Sequence, residues 1–241
     1  MTQAAGLTRV ERGDRVAWFD LRPNTADAST VREVWVEDVY QLDNLDLTDR
    51  SVVDIGANIG AFTCAALAAG AVEVHAYDPD PDCISQLRRN IEVTGGANRV
   101  SIWCEAVGAH TGLGVYAPAG DPAFASATGR MINAGDGVTV PVVPLTTVLS
   151  RVHVTPIALL KVDAEGSEFD IFAGVTPDAL SIVDRIVVEF HGPMMRHIRR
   201  PHSGWKLAWG VMLSTLAEWG HVETMGRPSA GGMIHGRRYG L

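Results

Sequence analysis

Ser51-Val-Val-Asp-Ile-Gly-Ala-Asn-Ile-Gly-Ala-Phe-Thr63, followed by an alanine-rich run and then by Val72-Glu-Val-His-Ala-Tyr-Asp78, reads as strand, glycine turn, helix, strand and acid. Val52, Val53 and Ile55 form the short apolar, β-branched run of a strand covered on both faces. Gly56 and Gly60 bracket the turn. Gly56 admits a backbone conformation closed to other residues, and either glycine lets a ligand approach the main chain. Ala61 to Ala69 are good helix formers, and Gly70 is placed to end the helix. The second strand ends at Asp78, about 20 residues beyond the turn, the spacing at which a carboxylate meets the hydroxyls of a bound ribose.

The glycine spacing decides which nucleoside is expected. A dinucleotide fold wants Gly-x-Gly-x-x-Gly, with helix amides facing a pyrophosphate. The turn here, Asp54-Ile-Gly-Ala-Asn-Ile-Gly60, lacks that triplet and sets a carboxylate before the first glycine. A carboxylate there repels a diphosphate and suits a ligand with an ammonium and a sulfonium, as in S-adenosylmethionine. The reading assigns Asp54, Gly56, Ala57, Asn58, Gly60 and Asp78 to that cofactor. The plainer alternative is an ordinary strand-to-helix turn with a capping acid.

At 241 residues and 46% hydrophobic composition, one α/β domain is expected. The formal net charge of −8 argues against a broad nucleic-acid surface, which would be basic. Cys64, Cys83 and Cys104 show no Cys-x-x-Cys spacing, so free thiols in a reducing cytoplasm are expected. No apolar run reaches membrane-spanning length, and the N-terminus carries no signal-peptide core.

Residues 1–50 read as a prelude to a domain over 51–241. Val16 to Leu21 is a strand, paired with Leu7 to Val10. Val31 to Tyr40 is a short helix, capped by Ser29 or Thr30, of the kind that lies across the top of a sheet. After Asp78, Asp80 and Asp82 fit the first turn of a helix over Cys83 to Val93, with Arg88, Arg89 and Asn90 on its solvated face. Val100 to Cys104 is a third strand. Glu105 and Ala106 just beyond it are assigned to the adenine, with a solvated loop acid as the alternative. Residues 109–150 read as an insertion, with a hairpin from Gly112–Tyr116 and Gly137–Val143, a loop over Asp121 to Thr128, and a short helix over Thr146 to Val152.

Ile157 to Asp163 is a fourth strand, and Ile182 to His191 a fifth. Open α/β sheets bind ligands outside the carboxyl ends of their strands. Asp163, Glu165, Glu189 and His191 therefore fall at the mouth of one site. A basic loop follows (Met194, Met195, Arg196, His197, Arg199, Arg200, Pro201, His202), then a helix over Trp205 to Trp219. Strands over His221 to Met225 and Met233 to Tyr239 close the sheet. The expected fold is Rossmann-like: a seven-stranded, mostly parallel sheet with a C-terminal antiparallel hairpin.

Three segments together resemble the FkbM family of S-adenosylmethionine-dependent methyltransferases. They are Val53-Asp-Ile-Gly-Ala-Asn-Ile-Gly-Ala-Phe-Thr63; Ala76-Tyr-Asp-Pro-Asp-Pro81 with Leu87-Arg-Arg-Asn-Ile91; and Leu159-Leu-Lys-Val-Asp-Ala-Glu-Gly-Ser-Glu168. The last is close to the family's Lys-Ile-Asp-Val-Glu-Gly-x-Glu signature, and Val187-Val-Glu-Phe-His191 is similar to the strand after it. Asp78 departs from the family, which more often has Glu there. The resemblance implies an O-methyltransferase of a small molecule, such as a sugar, polyketide or other natural-product intermediate.

A hydroxyl acceptor needs a general base. His191 is the leading candidate, with Asp163, Glu165 and Glu189 as alternatives. The same three acids and histidine are also candidates to hold a divalent cation such as Mg2+. Lys161, in mid-strand, either snorkels or pairs with an acid. Other readings stay open at this point: a tRNA methyltransferase, an N-methyltransferase, and a non-catalytic nucleoside-binding module. Trp205, Trp209 and Trp219 suggest either a homodimer surface or one packed helix face.

Overall fold

The computed structural model describes residues 1–4, 6–117, 130–132, 137–191, 202–227 and 231–241. The chain begins with an antiparallel sheet of β1 (Thr2–Ala4), β2 (Leu7–Arg12) and β3 (Arg15–Phe19), followed by helix α1 (Asp27–Arg32). The Rossmann-like core then alternates: β4 (Ser51–Ile55), α2 (Ala61–Ala68), β5 (Glu73–Tyr77), α3 (Pro81–Thr94) and β6 (Val100–Trp103). An excursion follows, made of β7 (Ala106–Gly108), β8 (Gly112–Ala117), β9 (Arg130–Ile132), β10 (Val138–Pro144) and helix α4 (Leu145–Ser150). The core resumes with β11 (Ile157–Asp163), α5 (Glu168–Phe172), β12 (Arg185–Phe190), α6 (His202–Trp219), β13 (Gly220–Arg227) and β14 (Gly231–Arg238).

The central sheet has the order β13-β14-β12-β11-β4-β5-β6. Strands β6, β5, β4, β11 and β12 run parallel, and β14 and β13 are antiparallel additions at one edge. Strand β4 is the middle one of the five parallel strands and has every residue buried, which is why its sequence is an unbroken apolar run apart from Ser51 and Asp54. Two apolar layers cover the faces. One joins α1, α2, α3, β2 and β3 through Val10, Phe19, Val31, Phe62, Leu87 and Ile91. The other joins α4, α5 and α6 through Leu145, Phe169, Phe172, Met212 and Trp219.

The prelude is thus part of this core. Trp35 is 2% exposed, and its indole N–H donates to the carbonyl of Ala61 at 3.0 Å. Burial of a side chain of this size contributes about 2–3 kcal/mol. The expected helix over residues 31–40, capped by Ser29 or Thr30, differs in the structure. Helix α1 starts at Asp27 because that buried carboxylate accepts from the backbone N–H and guanidinium of Arg22 at 2.8–3.0 Å. Ser29 instead donates back to Ala26. The chain then widens into a π-turn over Glu33–Glu37, which ends where Asp38 takes a left-handed conformation at φ 52°.

Asn90 also departs from the sequence reading. Arg88 and Arg89 are exposed, whereas Asn90 is fully buried. Its side-chain amide donates to Ile59 O at 2.8 Å and its carbonyl accepts from Asp20 N at 2.8 Å, tying α3 to the glycine turn and to the end of β3. In the excursion, β8 pairs antiparallel with β10, as the expected hairpin of Gly112–Tyr116 with Gly137–Val143 requires, and β10 also runs parallel to β7. Trp209 packs on Phe190 with ring centroids 4.7 Å apart and planes tilted by 58°, and Trp219 is buried with its N–H on Leu180 O, so both pack into the apolar layer of this chain. The loop over 121–128 and the basic segment 194–201 lie outside the described residues.

Candidate active site

The carboxyl ends of β4, β5, β11 and β12 share one edge of the sheet, and the glycine turn sits there. Gly56 takes φ 75°, and a Cβ built on it would lie 1.6 Å from the carbonyl oxygen of Asp163. The turn is therefore pressed directly against the end of β11, and only glycine permits both the approach and the backbone. The amides of Gly56 and Ala57 both donate to Tyr77 O at 2.9 Å. Asn58 at φ 49° and Gly60 at φ 84° complete the turn, and α2 starts at once.

Beside the turn is a cavity of about 440 Å³, counted to its open mouth. Gly56, Asp78, Glu105, Ala106, Asp163 and Glu165 all line it. Asp78 is 8% exposed; one oxygen accepts from Asn58 N at 2.8 Å and the other from Asp80 N at 2.9 Å. Burial pushes the Asp78 carboxyl up to about 7, against the two amide hydrogen bonds. Pro79, Ala106, Val107 and Tyr116 give the cavity apolar walls. Asp80 is the N-cap of α3, as its position suggested, and its other oxygen accepts from the hydroxyl of buried Tyr116 at 3.0 Å. Glu105 is clasped by Arg151 at 2.6 Å, whose guanidinium lies 4.0 Å over the Trp103 ring.

Asp54 stands differently from its sequence reading as the partner of a cationic ligand. Its carboxylate has no exposed surface and is not part of the cavity wall. Thr63 donates to it at 2.6 Å, and the Lys161 ammonium lies 3.1 Å away. Lys161 is itself buried, and it also donates to Ile55 O at 3.2 Å and Gly56 O at 2.6 Å. Burial works against its charge, but Asp54 and Asp163 outweigh burial and raise its pKa. The pair braces the turn from beneath, and its charges cancel there.

Asp163 and Glu165 line the cavity; Glu189 and His191, which Asp163 meets, are not part of its wall. Strands β11 and β12 are in register with Asp163 beside Glu189. The hydroxyl of Tyr40, from the prelude, lies 2.9 Å from Asp163 and 3.2 Å from Glu189. Burial first, and then the Asp163 charge, push Glu189 up to about 7. His191 is 5% exposed. Its Nδ1–H donates to Glu168 at 2.8 Å, while Nε2 lies 3.4 Å from Glu165 and 4.0 Å from Asp163. Burial opposes its charge, but the Glu168 hydrogen bond and these carboxylates raise its pKa to about 10. Glu168, the first residue of α5, accepts from the amides of Ala164 and Gly166.

Ligand atoms of Asp163, Glu189 and His191 lie within 4.8 Å of one another. Mg2+ prefers an all-oxygen octahedron, and this set fits it poorly. One member is an imidazole whose Nδ1 is already engaged by Glu168, the Tyr40 hydroxyl already bridges the two carboxylates, and the Lys161 ammonium is 3.8 Å from Asp163.

The profile of the methyltransferase FkbM domain matches residues 54–220. The chain belongs to the FkbM methyltransferase family. The 31-O-demethyl-FK506 methyltransferase FkbM of Streptomyces tacrolimicus is 28% identical over 223 residues, covering 79% of this chain and 84% of that protein. Ribosomal protein L11 methyltransferase of Glaesserella parasuis serovar 5 (strain SH0165) is 42% identical, but over 62 residues only; the match covers 26% of this chain and 21% of that protein's length. Among solved structures, the putative methyltransferase yhhF from Escherichia coli superposes with a TM-score of 0.50 at 14% identity, covering 97% of this chain and 99% of that one. That likeness is one of fold. Family and fold are those of S-adenosylmethionine-dependent methyltransferases. Among the described residues, no helix is long and apolar enough to cross a membrane.

Sequence reasoning missed Tyr40 and Tyr116. Both are aromatics on segments read as accessory, and only their long-range contacts reveal them.

Proposed function

We propose that the chain is an O-methyltransferase acting on a hydroxyl of a small molecule. S-adenosylmethionine, when bound, supplies an activated methyl group, so the protein must position the acceptor and take its proton. The observation that supports this reading is the Tyr40–Asp163–Glu189 cluster, joined through Asp163 to the wall of the cavity beside Asp78. The relative from S. tacrolimicus is named for 31-O-demethyl-FK506, and the oxygen acceptor is carried over from it as part of the proposal.

The protons in this cluster assign the roles. A phenol has one hydrogen to donate, yet Tyr40 lies within hydrogen-bonding distance of two carboxylates. If Tyr40 donates to Asp163, the second contact is favourable only when Glu189 is protonated and donates to the phenol oxygen. Glu189 is thus the group that gains and loses a proton near neutrality, and we assign it the general base. His191 was the base expected from sequence. Held as an imidazolium by Glu168, Glu165 and Asp163, it has no free lone pair at neutral pH, and its role becomes electrostatic: it fixes the carboxylates around it.

The test is labelled S-adenosylmethionine offered with panels of hydroxylated small molecules, amines and bulk tRNA. Turnover of hydroxyls is expected. Turnover confined to amines or to RNA, or cofactor binding with no turnover at all, overturns the proposal. With a working acceptor, the base must be ionised, so the rate is expected to fall about tenfold per unit as pH drops below about 7, and to level off above it. Glu189→Gln is expected to cost about 10²–10⁴-fold. A flat pH profile, or full activity in that variant, removes Glu189 as base.

A further inference from the structure

A second concavity, of about 770 Å³, lies on the sheet face beside Tyr40. It is formed where β12, β14 and β13 run side by side, and Gln41, Asn44 and Leu45 of the prelude make its far wall. Strand alternation decides which residues face it. Ile186, Val188 and Ile234 point into the layer under α6, so Arg185, Val187, His235, Arg237, His221 and Glu223 point the other way. The register aligns them in two rows. Arg185 is opposite Arg237, which is opposite His221. One step nearer the active site, Val187 is opposite His235, which is opposite Glu223.

The first row is physically unusual. Neighbouring strands are about 4.8 Å apart, and like charges directly opposite each other destabilise a sheet. Arg185 and Arg237 are such a pair, in a protein of net charge −8. Among the described residues neither arginine forms an ion pair. The groove's own acid, Glu223, stands opposite His235 in the neighbouring row, and Asp184, on the opposite face, is taken by Arg50 and Arg238. A second observation points the same way. The Nε2 of His235 is shielded from solvent and has no hydrogen-bond partner among the described residues.

We propose that this groove is an oxyanion-binding site, taking a phosphate or carboxylate group between Arg185, Arg237 and His235. Guanidinium forks match such oxyanions in two-point contacts, and a bound anion converts the repulsion across β12 and β14 into attraction. The groove is separate from the cavity beside Asp78, with Tyr40 as the wall between it and the Asp163–Glu189 pair. The assignment does not depend on the methyl acceptor.

The experiment is thermal unfolding of the full chain at low ionic strength, with inorganic phosphate titrated against chloride at matched ionic strength. A parallel titration with citrate separates phosphate from carboxylate preference. Saturating oxyanion is expected to raise the melting temperature by about 5 °C or more. Arg237→Gln is expected to abolish that rise and, in oxyanion-free buffer, to melt higher than the wild type, because the like-charge pair is gone. A plain loss of structure moves both readings down, so the opposite signs are diagnostic. An equal response to chloride, a response retained in Arg185→Gln and Arg237→Gln, or a lower melting point for Arg237→Gln in oxyanion-free buffer overturns the site. S-adenosylhomocysteine titration of the same variants keeps this outcome distinct from failure of the methyltransferase reading, since the groove residues do not line the cavity beside Asp78.

Discussion

Replacing Lys161 with methionine is expected to lower the melting temperature by about 10 °C, the largest single-residue stability effect in the site. The reasoning starts from burial. Asp54 has no exposed surface and Lys161 is 2% exposed, with 3.1 Å between ammonium and carboxylate. Methionine fills much of the same volume and removes the charge. Asp54 is left with only the Thr63 hydroxyl, and the carbonyls of Ile55 and Gly56 lose their donor. Breaking a buried pair by removing one partner costs about 3–5 kcal/mol, and each kcal/mol shifts the melting point of a domain this size by about 2–4 °C. The double variant Lys161→Met with Asp54→Asn removes the orphaned charge and is expected to recover part of the loss. Melting within a degree or two of wild type for the single variant would show that the pair carries no such energy. The variant also tests the link from stability to site geometry, because Lys161 holds the carbonyl of Gly56, and Gly56 abuts Asp163.

What the sequence made legible follows from how locally each feature is encoded. The unit from β4 through α2 to β5 is written within 28 residues as an apolar run, two glycines, helix formers and a terminal acid, so both its structure and the place of Asp78 were readable. The convergence of Asp163, Glu165, Glu189 and His191 was readable for a different reason: parallel strands of one sheet all deliver their carboxyl ends to the same rim. The family signature reinforced both. Side-chain partnerships across the chain were not readable. Tyr40 reaches Asp163 across 123 positions and Glu189 across 149. Lys161 matches one of the two options open to it, but nothing in its strand names Asp54 as the partner. Asn90 misled because a polar residue beside two arginines looks solvated, whereas α3 turns that position onto the glycine turn and its amide serves Ile59 and Asp20 there. His191 was readable in its position but not in its partner: Glu168, itself wholly buried, lies 2.8 Å from Nδ1 and raises its pKa, and no local pattern announces that contact.

Asp78→Ala is expected to weaken binding of S-adenosylhomocysteine by about 100-fold or more, measured by calorimetric titration. The carboxylate is fixed by the amides of Asn58 and Asp80, and it lines the cavity at the end of β5, where a ribose diol would meet it. A hydrogen bond to a charged acceptor contributes about 1.5–3 kcal/mol; two hydroxyls on one carboxylate therefore account for about 3 kcal/mol or more, and each 1.4 kcal/mol is tenfold in affinity. The pH dependence carries a sign of its own. Burial raises the folded-state pKa of Asp78 to about 7, above the usual carboxylate value. In the free protein, ionisation of this group therefore opposes folding, and the stability it contributes is lost as pH rises from about 4 to about 7. Donors on the ribose favour the ionised form, so binding is expected to release a proton below pH 7, and affinity is expected to fall as the solution is made more acidic. Alanine removes both effects together: weak binding, and no proton release at this site. If Asp78→Ala binds as tightly as wild type, with the same pH dependence, the acid at the end of β5 serves only the amides of the turn, and the nucleoside must be held elsewhere along the cavity.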